Sequence, residues 1–294
     1  MTEPTAPEIP LLVAPVQLAG PGDHARAFEH LTQTQRTWGR YSPDGGECSV
    51  LVRECLTAAF QLDHTATADH QVAWTFSRYE SPVGQCLWQA TFDTQTPVEL
   101  VMAFTHSLEY DLERWEPDRR DAAVRGQHGY EPLIELVQDA GWTQWPNEEA
   151  VSYRSPDGSA GILLARGADT DPWGNLANLG ATYRLWGARP DPGPQPPQRP
   201  IWTATFSPAV PTDLLLDTLG RIVEDGWSDP RTRAEVCSSN WDLLEARPAP
   251  SEYLRYLAST ARSVGLPAAP AVAPPPPAPA PAASTLRSTR TPSR

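Results

Sequence analysis

The chain has 294 residues, of which 40% are hydrophobic and 9% aromatic, so it can bury the cores of two domains of ordinary size. Its formal net charge of −13 argues against a general nucleic-acid binder, because an acidic body repels phosphate backbones. No signal peptide and no apolar stretch of the ~20 residues needed to span a membrane is visible, and the four cysteines form no C-x-x-C pair, so we expect a cytoplasmic protein with reduced thiols.

The N-terminal part of the chain predicts a helix followed by strands. Residues 1–9 are rich in proline and acids and are expected to be disordered. A short strand is predicted within 11–18, and Asp23 is a plausible cap for a helix over about 24–36. Strands are then predicted at 38–41, 48–53, 56–63 and 71–78, with a turn at Ser42-Pro43-Asp44-Gly45 between the first two.

The next stretch runs from a strand directly into a helix. Trp88, Ala90 and Phe92 alternate with polar residues, which predicts a strand with one buried face.

The helix that follows has recognisable start signals. Thr96 and Glu99 have the spacing of a capping box, and Pro97 lies at the first helical position. An apolar stripe then recurs every fourth residue, at Leu100, Phe104 and Leu108.

Both features recur later in the chain. Trp202, Ala204 and Phe206 repeat the strand pattern 114 positions downstream, and Pro211 again precedes a predicted helix. The turn recurs 113 positions downstream as Ser155-Pro156-Asp157-Gly158, and the same offset aligns Leu51 with Leu164 and Arg53 with Arg166. Two matching blocks at nearly one offset predict a duplicated domain.

The predicted fold is α+β, with two tandem similar units that pack together. Each unit is expected to be an antiparallel sheet of about four strands with helices packed on one face. The boundaries are a first unit over 10–115, a linker over 116–129 and a second unit over 130–228. A helical extension is predicted at 229–265, with its helix at about 251–264, and a disordered Pro/Ala-rich tail at 266–294.

The paired turns, the Trp-x-Ala-x-Phe strands and the proline-initiated helix resemble a streptomycete family, the SPDY domain or domain of unknown function 317. Ser42-Pro43-Asp44 and Ser155-Pro156-Asp157 match the Ser-Pro-Asp-Tyr motif of that family, with Gly45 and Gly158 in place of its tyrosine. The resemblance extends over about residues 12–228 and implies tandem units. The family has no established activity, so the resemblance implies no catalytic residue and no cofactor.

Two Asp-His pairs are the strongest candidates for metal ligands. Asp63-His64 and Asp69-His70 lie six positions apart, and histidine with carboxylate suits zinc or another transition metal. The alternative is a polar connection between strands, which we prefer because no histidine follows residue 128.

The tryptophans divide into two predicted classes. Trp88 and Trp202 alternate with polar residues and are predicted to lie in cores. Trp142, Trp145 and Trp173 lie near glycine and proline breakers and are predicted to be exposed contact aromatics.

Three functions remain open on the sequence alone. The preferred one is a non-enzymatic protein-interaction module built from a duplicated domain, with a protein partner and without a cofactor. The second is an enzyme with a dispersed site between the two units. The third is an accessory factor that touches nucleic acid through the tail arginines Arg287, Arg290 and Arg294.

Overall fold

The computed structural model describes residues 10–114, 131–145, 150–165, 183–190, 200–252 and 255. The predictions for 1–9, for the linker and for the Pro/Ala-rich tail lie outside these residues, as does most of the helix predicted at 251–264. The first half contains α1 (His24–Thr34), β2 (Trp38–Tyr41), β3 (Cys48–Arg53), β4 (Ala58–Asp63), β5 (Val72–Tyr79), β6 (Cys86–Asp93) and α2 (Val98–Arg114), preceded by β1 (Leu11–Ala14). The second half contains α3 (Glu131–Asp139), β7 (Thr143–Trp145), β8 (Ala150–Arg154), β9 (Ala160–Ala165), β10 (Tyr183–Gly187), β11 (Trp202–Phe206) and α4 (Thr212–Gly220), followed by β12 (Glu245–Pro248).

Ten of these strands form one continuous antiparallel sheet in the order β2-β3-β4-β5-β6-β11-β10-β9-β8-β7. The α+β class is therefore confirmed, but the prediction of a separate sheet in each unit is wrong. The two halves join because β6 and β11 pair edge to edge, with Thr91 opposite Thr205. Each half supplies five strands rather than about four, and in the second half β7 and β8 were not predicted.

The order of elements is the same in both halves: a helix, five strands and a second helix. The two Ser-Pro-Asp-Gly turns, however, do not occupy the same place in this order. Residues 42–45 lie between β2 and β3, whereas residues 155–158 join β8 to β9.

The predicted match of Leu51 with Leu164 is therefore wrong. Leu51 faces Phe60 across β3 and β4, and Tyr153 faces Ile162 across β8 and β9, so Leu51 corresponds to Tyr153. The same four-residue turn sequence therefore forms turns in two different hairpins. Asp157 accepts hydrogen bonds from the hydroxyl of Ser155 and from the backbone N–H of Ser159, which shapes the second turn without reference to its position in the sheet.

The helices pack on one face of the sheet and enclose the main core. Trp88 and Trp202 lie in this core together with a series of phenylalanine rings in mutual contact, namely Phe60, Phe76, Phe92, Phe104 and Phe206. The opposite face, which carries Thr75, Thr91 and Thr205, is called the open face below. Within the described part of the chain, no helix is long and apolar enough to cross a membrane.

The helix starts agree with the sequence only in part. Asp23 caps α1 as predicted, since its carboxylate accepts a hydrogen bond from the backbone N–H of Arg26. The capping box predicted for α2 is wrong. The Glu99 carboxylate binds Arg231 and the backbone N–H of Asp229, and the Thr96 hydroxyl donates to Asp93.

The segment over residues 227–248 is called the strap below, and the helix predicted at about 251–264 lies beyond it. The described residues of the strap form short 3-10 turns and β12, which pairs with β1 in a separate two-stranded sheet. Backbone bonds from Ser228 to Val13 and from Cys237 to Ala19 hold the strap against the N-terminal segment. Val13 and Ala19 therefore pack with the strap, whereas Val16 lies in the main core and the Gln17 carbonyl accepts from the Trp202 indole.

Candidate functional site

A surface cleft of about 530 Å³ lies where three segments meet. These segments are the loop that leads into α1, the connection between β6 and α2, and the strap. The lining residues are Pro21, Gly22, Asp23, His24, Gln95, Ala234, Glu235, Val236, Cys237 and Ser238. A cleft of this volume falls within the range of ligand-binding pockets.

A buried ion pair fixes the three segments relative to one another. The side chains of Arg231 and Glu99 are only 4% and 0% exposed, and the Arg231 Nε lies 2.8 Å from the Glu99 Oε1. The Nη2 of the same guanidinium binds the second carboxylate oxygen, and its Nη1 donates to the carbonyls of Ala19 at 3.1 Å and Gly20 at 2.9 Å. One arginine of the strap thus ties the loop before α1 to the first turn of α2.

Two glycines allow the loop to approach its neighbours closely. Gly20 has a φ of +91°, and a Cβ there would lie 2.8 Å from the Cβ of Cys237. Gly22 has a φ of +71°, and a Cβ there would lie 2.9 Å from a methyl group of Val98. Because both positions require glycine, the walls of the cleft are formed by closely packed backbone and are set before any ligand arrives.

His24 lies at the start of α1 and lines the cleft. Its Nδ1 accepts a hydrogen bond from the Trp74 indole, which can only donate, so the proton of the neutral ring resides on Nε2. Burial lowers the pKa of His24 to about 4, assisted by the nearby charge of Arg231. The ring is therefore neutral at pH 7, and its Nε2 is shielded from solvent. Neither nitrogen is placed to accept a proton from a molecule in the cleft.

The buried state of His24 makes stability depend on pH. The unfolded chain binds a proton near pH 6.5, whereas the folded chain does so only near pH 4. The contribution of His24 is therefore complete above pH 6.5 and is lost as the pH falls toward 4, by on the order of 3 kcal/mol. Urea unfolding at pH 7, 5 and 4 should show a smaller loss in a His24→Gln variant, which retains an acceptor for Trp74. An identical pH dependence in both proteins would contradict this assignment.

Two carboxylates give the cleft its charge. Asp23 Oδ1 accepts from the backbone N–H of Arg26 at 2.8 Å, and Glu235 Oε2 accepts from the backbone N–H of Thr232 at 2.6 Å. The second oxygen of each carboxylate forms no hydrogen bond with any residue that the structure describes. Since the guanidinium of Arg231 is turned inward to Glu99, the charged groups that line the cleft are acidic.

The structure gives the predicted metal candidates separate partners. His64 Nε2 lies 2.8 Å from the hydroxyl of Ser49, and His70 Nδ1 lies 3.2 Å from the Asp93 carboxylate. Burial raises the pKa of Asp93, which also accepts from the backbone N–H of Thr203 across the junction of β6 and β11. No group of three or more histidine, cysteine or acidic side chains that could hold a metal occurs among the described residues.

The pair of Ser49 and His64 has the contact that joins a nucleophile to its base in covalent catalysis. Ser49, however, is only 3% exposed, because it lies on the helix-covered face of β3. Its hydroxyl is out of reach of a substrate in solution. We therefore interpret the bond as a structural contact at the end of the sheet.

The predicted contact aromatics separate in the structure. Trp142 is 7% exposed and lies in the main core, so its prediction as an exposed residue is wrong. Trp145 is partly exposed on the open face, with its ring 6.0 Å from that of Trp186. Trp173 lies outside the described residues.

Sequence reasoning missed a spacing that the structure makes plain. Trp38 and Tyr41 of β2 correspond to Trp142 and Trp145 at β7, 104 positions later. In each pair the first ring is buried and the second lies at an outer edge of the open face, where Tyr41 is 56% exposed. Trp142 is therefore buried in the core, as is Trp38, the residue to which it corresponds. The cleft residues had no comparable signal, since Glu99 and Arg231 are 132 positions apart.

The middle row of the open face is uncharged over five neighbouring strands. It runs through Val50, Gln61, Thr75, Thr91 and Thr205, which face one another in register. In the next strand, β10, Arg184 faces Thr205, so the row continues into a basic residue.

Comparison with known proteins identifies one family. Residues 55–115 match the model of the SPDY domain, described as a domain of unknown function (DUF317). The match begins at the turn before β4 and ends just after α2, so it includes Trp88, Phe92 and Pro97 but neither Ser-Pro-Asp motif. No curated protein and no solved structure is significantly similar to the chain. Over residues 55–115 the chain is therefore similar to the SPDY domain, a domain of unknown function.

Proposed function

We propose that the protein is a non-enzymatic interaction module and that it binds a basic side chain of a protein partner in the cleft. The observation that carries this proposal is a pre-set cleft whose outward-facing charges are the carboxylates of Asp23 and Glu235. A carboxylate with a free oxygen binds a guanidinium or ammonium group through charge-assisted hydrogen bonds. The walls need no rearrangement, because Arg231 and the two glycines already hold them.

We favour binding over catalysis because the titratable side chains that could act as bases or nucleophiles are buried or hydrogen-bonded to other residues of the chain. His24 is neutral and bonded to Trp74, Ser49 is buried beside His64, and Asp93 is hydrogen-bonded across the two halves. A general base must present an unprotonated atom to its substrate. The junction of the halves, where the alternative enzyme site would lie, is filled by the rings of Phe92 and Phe206, whose centroids are 5.5 Å apart.

The proposal includes a duplication and a cytoplasmic location. The duplication is supported by the shared element order and by the Trp-x-Ala-x-Phe strands that pair with each other. The four unpaired cysteines are consistent with a reducing compartment. The tail arginines of the nucleic-acid alternative lie outside the described residues.

A site-specific photocrosslinker provides the test. Placed at Ser238, which is exposed and lines the cleft, it should capture a defined partner in extracts of the source organism. The same crosslinker at Val83, which is exposed and distant from the lining residues, is the matched control.

Charge-neutral variants give the experiment its specificity. Asp23→Asn and Glu235→Gln retain the oxygens that accept from the backbone but remove both charges. Together they should reduce capture at Ser238 by at least about tenfold, the loss expected for one charge-assisted bond. Equal capture at Ser238 and Val83, or capture unaffected by the double variant, would contradict the proposed site.

A further inference from the structure

The cleft and the C-terminal part of the chain carry opposite charges. The carboxylates of Asp23 and Glu235 line the cleft, and each uses one oxygen to accept from a backbone N–H. Their other oxygens form no hydrogen bond within the described part of the chain and are available to a cation. The sequence after residue 255, by contrast, contains four arginines and no acidic residue. Three of these arginines fall within eight positions of the Pro/Ala-rich tail, at Arg287, Arg290 and Arg294.

This excess of positive charge distinguishes the tail from the other charged segments that lie outside the described residues. Segments 1–9 and 146–149 carry acids and no arginine, and segment 115–130 carries three arginines against three acids. Segment 166–182 has one arginine against two acids, and segment 191–199 has one of each. Because arginine binds carboxylates through charge-assisted hydrogen bonds, the tail is the part of the chain whose charge complements the cleft.

The tail is also long enough to reach the cleft. The chain leaves the strap beside the N-terminal segment, where the backbone N–H of Ala249 donates to the carbonyl of Pro10 at 2.9 Å. Ala19 follows nine positions after Pro10, and its carbonyl accepts from Cys237 in the wall of the cleft, so the two places are at most roughly 32 Å apart. A proline-rich sequence extends by about 3.1 Å per residue, so segment 267–283 alone covers roughly 50 Å.

We propose that the arginines of the tail bind in the acidic cleft of the same molecule and compete there with the protein partner. This inference rests on the proposed function, because it assigns a regulator to the same site. A tethered ligand acts at an effective concentration on the order of 1 mM, so even a weak contact of the tail lowers the apparent affinity for a partner. A partner therefore displaces the tail only if it binds more tightly than this tethered competitor.

Intramolecular crosslinking tests the contact directly. A photocrosslinker at Ser238 in the purified full chain should react with residues 284–294 of the same molecule, as identified by mass spectrometry of the digested monomer. A glutamine variant of the full chain removes the three charges: Arg287→Gln, Arg290→Gln and Arg294→Gln. This variant should lose the adduct, whereas lysine at the same three positions should retain it because the charges are kept. Absence of the adduct in the native chain, or equal yield in the glutamine variant, would overturn the proposal.

A competition experiment measures the effect on binding. The probe is a fluorescent synthetic peptide of residues 284–294, and its binding is followed by anisotropy. The glutamine variant should bind this peptide about tenfold more tightly than the native chain, the factor expected when a tether at about 1 mM competes for a site with a Kd of about 0.1 mM. In the glutamine variant, adding Asp23→Asn and Glu235→Gln should abolish binding of the peptide.

The outcomes separate this inference from the proposed function. Equal affinity of the native chain and the glutamine variant, with binding that still requires Asp23 and Glu235, would refute the tail contact and uphold the cleft as a site for basic groups. Peptide binding that is unaffected by Asp23→Asn and Glu235→Gln would contradict both. Partner capture at Ser238 should likewise increase in the glutamine variant, because the competing arginines are gone.

Discussion

Replacing Trp202 with alanine should lower the free energy of unfolding by about 3–5 kcal/mol, the cost observed when a large core aromatic is truncated. Trp202 is fully buried, and its indole N–H donates to the carbonyl of Gln17 at 2.8 Å. Its ring also covers Gly187, where a Cβ would lie 2.1 Å from the indole nitrogen. The substitution would therefore open a cavity and leave a buried carbonyl without its donor.

Urea denaturation monitored by circular dichroism measures this effect. Trp88→Ala should fall in the same range of about 3–5 kcal/mol, because Trp88 lies in the same core. Trp145→Ala is the matched control, since that ring is partly exposed on the open face, and it should cost clearly less. If the urea midpoints of the Trp88→Ala and Trp202→Ala variants equal that of the native chain, neither ring stabilises the fold.

Breaking the ion pair of Arg231 and Glu99 should lower the free energy of unfolding by about as much as the loss of Trp202. Either Arg231→Met or Glu99→Leu leaves the opposite charge buried without its partner, which typically costs about 3–5 kcal/mol. The double variant should cost much less than the sum, because it removes both charges from the interior. The arginine substitution has the further effect of freeing the carbonyls of Ala19 and Gly20.

A double-mutant cycle in urea gives the coupling energy. The exposed pair of Arg40 and Glu29, at 2.8 Å, is the matched control and should show a coupling of less than about 1 kcal/mol. If the buried pair couples no more strongly than this surface pair, the strap is held by its backbone bonds instead. Detachment of the strap, which carries Ser238 itself, should also reduce partner capture at this residue, since the strap forms one wall of the cleft.

Local patterns predicted most of the elements in the first half. Alternation of Trp88, Ala90 and Phe92 predicted β6, and the apolar stripe from Leu100 predicted α2, because each signal is complete within a few residues. The family match covers this same stretch. Asp23 was recognised as a cap for the same reason, since its bond partner is three residues away.

Contacts between distant residues could not be predicted in the same way. The single sheet depends on β6 pairing with β11, more than a hundred residues downstream, and nothing in either strand indicates which edge it will meet. Glu99 fits a capping box by its spacing, yet a buried arginine of the strap provides a stronger partner than a backbone N–H. The repeated Ser-Pro-Asp-Gly turn led to the wrong match of Leu51 with Leu164, because its residues suit any tight hairpin.

The outer strands of the sheet have a consequence for solubility. A ten-stranded sheet that does not close leaves two edges, and each edge could recruit further strands into fibrils. Here β2 has four residues and β7 has three, against eight each in β5 and β6. The sheet thus narrows toward both margins and offers only a brief run of unpaired backbone to another molecule. Extending β7 with β-branched residues should accordingly promote aggregation.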